Sequence, residues 1–289
     1  MIDEHSIDDD AMHRPDPQPQ RRKYPWAILI VVAVFVIVPF ISWYGTWFGR
    51  PLSDSKLEEY LNDREKPRNV QHALAQIANR IIDGDKSVEK WYPGVIAAAG
   101  SETPEVRLTA AWVMGQDNTR EEFHAALRSL LEDPHPGVRH NAALALVRFG
   151  DASGRPELVR MLNPTRLQAP TAGTIEFILE EEGTPVATGA PLARIKGDDG
   201  QTSELHAPED GRIDLLVVAD GSRVEAGREV LVLSPSTDQV WEALRALYLV
   251  GRMEDIPHIE RYARGVPGMG DRIQKQALAA IEAIRARKV

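Results

Sequence analysis

Cysteine is absent from the 289 residues of this chain, and its absence excludes several kinds of chemistry. The chain can form no disulfide bond, no thiolate metal site and no thiol nucleophile. Positive charge is in the minority, because 34 Lys and Arg residues face 43 Asp and Glu residues, which gives a formal net charge of −9. This balance argues against general binding of nucleic acid. Gly-x-Ser-x-Gly motifs and glycine-rich phosphate loops are also missing, so the sequence indicates no enzyme and no catalytic residue.

One long apolar run is present, from Trp26 to Ile41, and it continues through aromatic residues to Phe48. Its length suffices for one membrane-spanning helix, predicted at residues 24–48. A basic triplet precedes it, so the positive-inside rule predicts a cytoplasmic N-terminus and an extracytoplasmic remainder. The expected localisation is therefore the inner (plasma) membrane, with a single pass and the main part in the periplasm. Residues 1–23 are expected to form a disordered cytoplasmic tail.

Two stretches of the chain repeat each other at a constant spacing of 38 residues, without a gap. The first reads Ala169-Pro170-x-x-Gly173-x-Ile175 and then Gly183-x-x-Val186-x-x-Gly189-x-x-Leu192-x-x-Ile195. The second reads Ala207-Pro208-x-x-Gly211-x-Ile213 and then Gly221-x-x-Val224-x-x-Gly227-x-x-Val230-x-x-Leu233. Alternating apolar residues predict short half-buried strands, and a repeated sequence predicts a repeated structural unit. Positive φ angles and tight turns are expected at four of the glycines, namely Gly183, Gly189, Gly221 and Gly227.

This pattern resembles the biotinyl/lipoyl domain, a flattened barrel of two interlocked half-motifs, and implies such a barrel at residues 166–235. In carriers of that family a modified lysine, flanked by methionines, lies on the hairpin that joins the halves. Here the family lysine position falls on Asp199. Lys196 lies three positions earlier without methionine neighbours, so a solvated hairpin charge is the preferred interpretation and modification of Lys196 the alternative. The resemblance therefore implies no cofactor.

A second repeat surrounds the first. Pro104-Glu105-Val106-Arg107-x-x-Ala110-Ala111 recurs 32 residues later as Pro136-Gly137-Val138-Arg139-x-x-Ala142-Ala143, and similar helical segments begin at Val240 and Ile273. These segments resemble HEAT repeats, whose helix pairs stack into a solenoid. The resemblance implies a solenoid in two parts, at residues 51–162 and 237–289, with the barrel inserted between them. It also implies that Arg107 and Arg139 pair with acidic residues within the stack. We expect Trp112 to be buried opposite Leu144.

Two groups of polar residues contain side chains of the types that bind metal ions. His135 and His140 share no helix face, so a metal site there is not expected. The acidic run Glu180–Glu182 is typical of a solvated turn rather than of a cation site. No metal-binding residue is therefore predicted.

The predicted fold class is multidomain α + β, with a single transmembrane helix, a HEAT-like α-solenoid and an inserted biotinyl/lipoyl-like barrel. The predicted function is that of a membrane-anchored, non-catalytic scaffold or adaptor that docks or helps assemble a protein complex at the outer face of the membrane. The expected partners are proteins, with no nucleic acid and no small-molecule substrate. Three alternatives stay open: an adaptor similar to membrane fusion proteins of efflux or secretion systems, an accessory subunit of a membrane enzyme complex, and a carrier subunit modified at Lys196.

Overall fold

The computed structural model describes residues 51–179 and 181–287, in which helices flank a block of β-strands. Prolines in the first turn begin several of the helices, where the missing N–H removes no hydrogen bond. The helices before the strands are α1 (Asp54–Leu61), α2 (Pro67–Ile82), α3 (Tyr92–Ala98), α4 (Pro104–Met114), α5 (Glu121–Ser129), α6 (Pro136–Arg148) and α7 (Arg155–Arg160). The helices after them are α8 (Thr237–Val250), α9 (Ile256–Ala263) and α10 (Asp271–Ala286).

The two copies of the 32-residue motif begin α4 and α6, which pack against each other. Their first-turn valines, Val106 and Val138, are both buried in one apolar core. The helices also approach closely at their C-terminal ends, where a Cβ atom on Gly115 would lie 2.8 Å from the Cβ atom of Ala145. The repeated sequence is therefore a repeated packing unit, as the resemblance to HEAT repeats implies.

Eight strands lie between α7 and α8: β1 (Thr165–Gln168), β2 (Gly173–Phe177), β3 (Pro185–Val186), β4 (Pro191–Lys196), β5 (Thr202–His206), β6 (Gly211–Leu216), β7 (Arg223–Val224) and β8 (Glu229–Pro235). They form two four-stranded sheets, in the orders β1-β8-β6-β3 and β5-β4-β2-β7. All paired strands are antiparallel.

The 38-residue repeat corresponds to this topology strand by strand. A shift of 38 residues carries β1, β2, β3 and β4 onto β5, β6, β7 and β8. The same shift converts the order of one sheet into the order of the other, because each sheet takes two strands from each copy. The predicted positive φ angles are confirmed at the repeated turns, with 88° at Gly183, 79° at Gly189, 72° at Gly221 and 80° at Gly227.

The predicted fold class and localisation need a correction. In residues 51–179 and 181–287, no helix is long and apolar enough to cross a membrane. The helix predicted at 24–48 and the tail predicted at 1–23 lie outside the described residues. The fold class with a single transmembrane helix is therefore wrong for the part of the chain that the structure describes, which is mixed α/β with HEAT-like helices and antiparallel sheets. The single-pass inner-membrane localisation is withdrawn with it.

Candidate functional site

The two motif arginines lie within the helical stack and are tied to acidic residues there. The Nε and Nη2 atoms of Arg107 donate to the two carboxylate oxygens of Asp133, at 2.6 and 2.8 Å. Arg139 Nε donates to Glu157 Oε1 at 3.2 Å. In both repeats the Nη1 atom also donates to backbone carbonyls just before the helix, for example to Ser101 O at 2.8 Å. The expectation that these arginines are structural is confirmed.

Lys196 occupies the last position of β4 and is exposed. The hairpin turn lies beyond it, where Asp199 Oδ1 accepts a hydrogen bond from Gln201 N at 3.0 Å. Asp198 forms two hydrogen bonds with Arg223 of β7, so the hairpin is fixed against the second copy of the repeat. The tip of this hairpin therefore presents an aspartate rather than a lysine.

Among the described residues, no group of three or more acidic or histidine side chains is arranged to hold a metal ion. His140 instead lies between two carboxylates. Its Nε2 atom is 3.2 Å from Glu157 Oε1, and its Nδ1 atom is 3.7 Å from Glu209 Oε2. Glu157 belongs to α7, whereas Glu209 precedes β6, so His140 joins the helical stack to the β-strands.

Other polar side chains complete this junction. Glu209 accepts a hydrogen bond from Thr165 Oγ1 at 2.5 Å and another from Gln239 Nε2 at 3.1 Å. Burial by itself would raise the pKa of Glu157, but the hydrogen bond from His140 and the charges of Arg139 and Arg160 outweigh it. The pKa of Glu157 is therefore held below its ordinary value. Sequence reasoning missed this junction, although Glu209 differs from its counterpart in the first copy, Thr171.

A groove on the helical part has a volume of about 690 Å³. Its walls expose three large apolar side chains, Trp112, Tyr248 and Leu249, with exposed fractions of 41%, 42% and 59%. Small residues, among them Ala145 and Ala246, also line the groove. The expectation that Trp112 is buried in the core is wrong, because its side chain forms part of this surface.

Equivalent positions on successive helices build the groove. Trp112 of α4 and Leu144 of α6 are related by the 32-residue repeat, and both line it. Ala246 occupies the same position of α8, if Val240 is aligned with Val138. A line of side chains therefore runs across three helices, although the β-strands separate α8 from α4 and α6 along the chain.

Several polar side chains of the groove form hydrogen bonds within the chain. Gln116 Nε2 donates to Trp112 O at 2.9 Å, and Asn141 Nδ2 donates to Leu108 O at 3.1 Å. Arg148 Nη1 donates to Gly115 O at 2.8 Å and to Gln116 Oε1 at 2.7 Å. Both of these acceptors are uncharged, and no carboxylate of the described ranges pairs with Arg148.

Comparison with protein families matches residues 92–169 to HEAT repeats. HEAT repeats are solenoid units that commonly mediate contacts between proteins. No curated protein matches the chain. Among solved structures, one similar chain is described as a single-chain, multi-domain long-chain acyl-CoA carboxylase. The sequences are 25% identical, the match covers 36% of this chain and 10% of that chain, and the TM-score is 0.24.

Proposed function

We propose that this protein is a non-catalytic docking protein whose helical groove binds a segment of a protein partner. The groove between α4, α6 and α8 carries the proposal, because its exposed side chains are of the kind that dominate protein interfaces. Trp and Tyr are enriched among the residues that contribute most to such interfaces. Trp112, Tyr248 and Leu249 together form an apolar surface that a partner would cover.

Charge complementarity adds to this proposal. The chain as a whole is acidic, yet the charged residues of the groove are two arginines and one glutamate. Glu242 pairs with Arg245, at 3.4 Å. No carboxylate in the described residues pairs with Arg148. A partner with apolar and acidic side chains therefore fits this surface.

Co-purification with matched variants tests the proposal. The full chain would be tagged in its native cells as wild type, as Trp112→Ala/Leu249→Ala and as Ile82→Ala, which removes an exposed apolar side chain outside the groove. We expect one partner protein to co-purify with the wild type and with Ile82→Ala but not with the double variant. When that partner is tagged instead, this chain should co-purify with it. Equal recovery by all three forms would refute a docking role for the groove.

We also propose that the eight strands form an unmodified biotinyl/lipoyl-like domain. The strand-by-strand correspondence of the two copies and the exchange of strands between sheets support this likeness. Asp199 at the hairpin tip argues against carriage of biotin or lipoate. Intact-mass measurement of the chain from its native cells decides between the two possibilities: we expect the unmodified mass, whereas an added biotinyl or lipoyl group on Lys196 would make the domain a carrier.

A further inference from the structure

We infer that the groove accepts an α-helical segment that carries an aspartate or glutamate directed at Arg148. This inference rests on the proposed docking function and deepens it, because it names the conformation and the charge of the partner.

The lining of the groove favours a helical partner over an extended one. Every lining residue belongs to a helix or lies within two residues of the end of one, so no strand edge is available to pair with an extended peptide. An extended peptide would then need side-chain amides to satisfy its backbone. Three amide side chains line the groove, and those of Gln116 and Asn141 already donate to Trp112 O and Leu108 O. The amide of Gln276 alone could not pair the backbone of a peptide that is several residues long. A helix satisfies its own backbone and offers only side chains, which is what an apolar groove can bind.

The dimensions agree with a short helix. The lining positions extend across α4, α6 and α8, and neighbouring packed helices lie about 8–10 Å apart. A partner that contacts all three would cover roughly 20 Å, which is about 13 residues of α-helix at 1.5 Å per residue. Such a helix repeats its apolar side chains every three or four residues. These would contact Trp112 at one side of the groove and Tyr248 and Leu249 at the other.

Arg148 supplies the polar contact. The two bonds from its Nη1 atom hold the guanidinium over the C-terminal end of α4, at Gly115 and Gln116. The guanidinium keeps further N–H donors for a ligand, and a carboxylate can accept two of them side by side. Neither of its present acceptors is charged, and no carboxylate of the described residues pairs with Arg148. A carboxylate on the partner would therefore give this arginine a negatively charged acceptor.

A phage-displayed library of random 16-residue peptides, selected on the purified full chain, tests this inference and does not require the natural partner to be identified. Clones that bind the wild type but not Trp112→Ala/Leu249→Ala identify ligands of the groove. The most enriched peptides would be synthesised, and their affinities measured by fluorescence anisotropy. We expect them to gain helical circular dichroism on binding and to contain an acidic residue. Replacement of that residue by its amide should weaken binding roughly three- to tenfold.

Two protein variants locate the effect. Arg148→Gln should make the acidic and amide forms of the peptide bind equally, whereas Arg264→Gln, which removes an exposed arginine outside the groove, should preserve the difference. The peptide substitution itself needs no protein variant, so the test holds even if Arg148→Gln fails to fold. Groove-dependent peptides that are extended, or that bind without preference for acid, would overturn this inference and leave the docking function standing. Absence of any Trp112-dependent clone would count against both.

Discussion

His140 Nε2 lies 3.2 Å from Oε1 of Glu157, a carboxylate whose side chain is only 2% exposed. The ring of His140 thereby connects α6 to α7, and through its other nitrogen to Glu209 beside the strands. Arg139 and Arg160 complete the surroundings of Glu157. A buried carboxylate with three cationic or hydrogen-bonding neighbours is stabilising only as long as the set is complete.

Substitution of Glu157 by glutamine should therefore destabilise the chain. The change keeps the shape of the side chain but leaves the partners of the carboxylate without its charge, which should cost about 2–4 kcal/mol in the free energy of unfolding. Urea denaturation followed by circular dichroism measures this. Glu121→Gln is the matched control, because Glu121 is 85% exposed and should change stability by less than about 0.5 kcal/mol. Equal effects of both substitutions would contradict the role given to Glu157.

Stability should fall in acid because of Asp151. Burial would raise the pKa of this carboxyl, but hydrogen bonds from Ser153 N, Arg128 and His124 outweigh burial and hold its pKa well below the usual range. A carboxyl whose pKa is lower in the folded state stabilises the fold above its unfolded pKa, about 3.9, and loses that contribution as pH falls further. Urea titrations between pH 6 and pH 3 should show this loss. In Asp151→Asn the loss should be smaller, and an unchanged pH profile would rule Asp151 out as its source.

Trp112→Ala should leave the fold largely intact. Trp112 is 41% exposed, so we expect a cost of about 1 kcal/mol in the free energy of unfolding, well below the usual cost of a buried aromatic residue. Leu146→Ala serves as the comparison, because Leu146 has no exposed surface and its truncation should cost about 2–5 kcal/mol. Thermal and urea denaturation of both variants measure the difference. A loss of unfolding free energy for Trp112→Ala as large as that for Leu146→Ala would show that Trp112 is part of the core.

Gly211→Ala should weaken the sheet that contains β6 and β8. A Cβ atom at this position would lie 2.7 Å from Ser234 O on the neighbouring strand, which is closer than such atoms approach without a shift of the backbone. Overpacking of this kind costs about 1–3 kcal/mol. Gly100→Ala is the control, because its nearest contact would be an ordinary 3.5 Å. Similar unfolding midpoints for the two variants would show that the strands can separate without cost.

Most of the structural features that could be predicted from the sequence lie in its two repeated motifs. Glycines at fixed positions specify turns, and so Gly183 and its equivalents were predicted to have positive φ angles, as they do. The arginine of each helical repeat was likewise expected to pair with an acid, and Arg107 with Asp133 confirms this. The turn glycines and the motif arginines both occur twice at equivalent positions, and this recurrence allows their structural roles to be recognised from the sequence.

The position of Trp112 was predicted wrongly because residue type was given more weight than helical position. Trp112 lies six residues after Val106, which is about 240° around the helix. Buried Val113 and Ala110 lie close to the direction of Val106, so the angle alone places Trp112 on the other side. The helical position, rather than the residue type, therefore decides whether an apolar side chain of a repeat helix joins the core.

The junction of His140, Glu157 and Glu209 could not be predicted from spacing. Its members lie on separate elements, and the distance along the chain between His140 and Glu209 includes most of the inserted strands. Glu209 differs from its counterpart Thr171, but many other equivalent positions of the two copies differ too, so this contrast does not single the junction out. Thr171 contacts Ser203 within the strands instead.

The exchange of strands between the two sheets has a consequence for any half of the duplicated segment. A single copy supplies two strands to each sheet, so alone it leaves both sheets half built and would close only as a pair of separate chains. The short connection from Lys196 to Thr202 turns that pairing into an intramolecular event, at an effective concentration of the order of millimolar or above. Assembly of the strands therefore does not depend on protein concentration. After a cut within this connection, their stability would depend on reassociation of the two pieces.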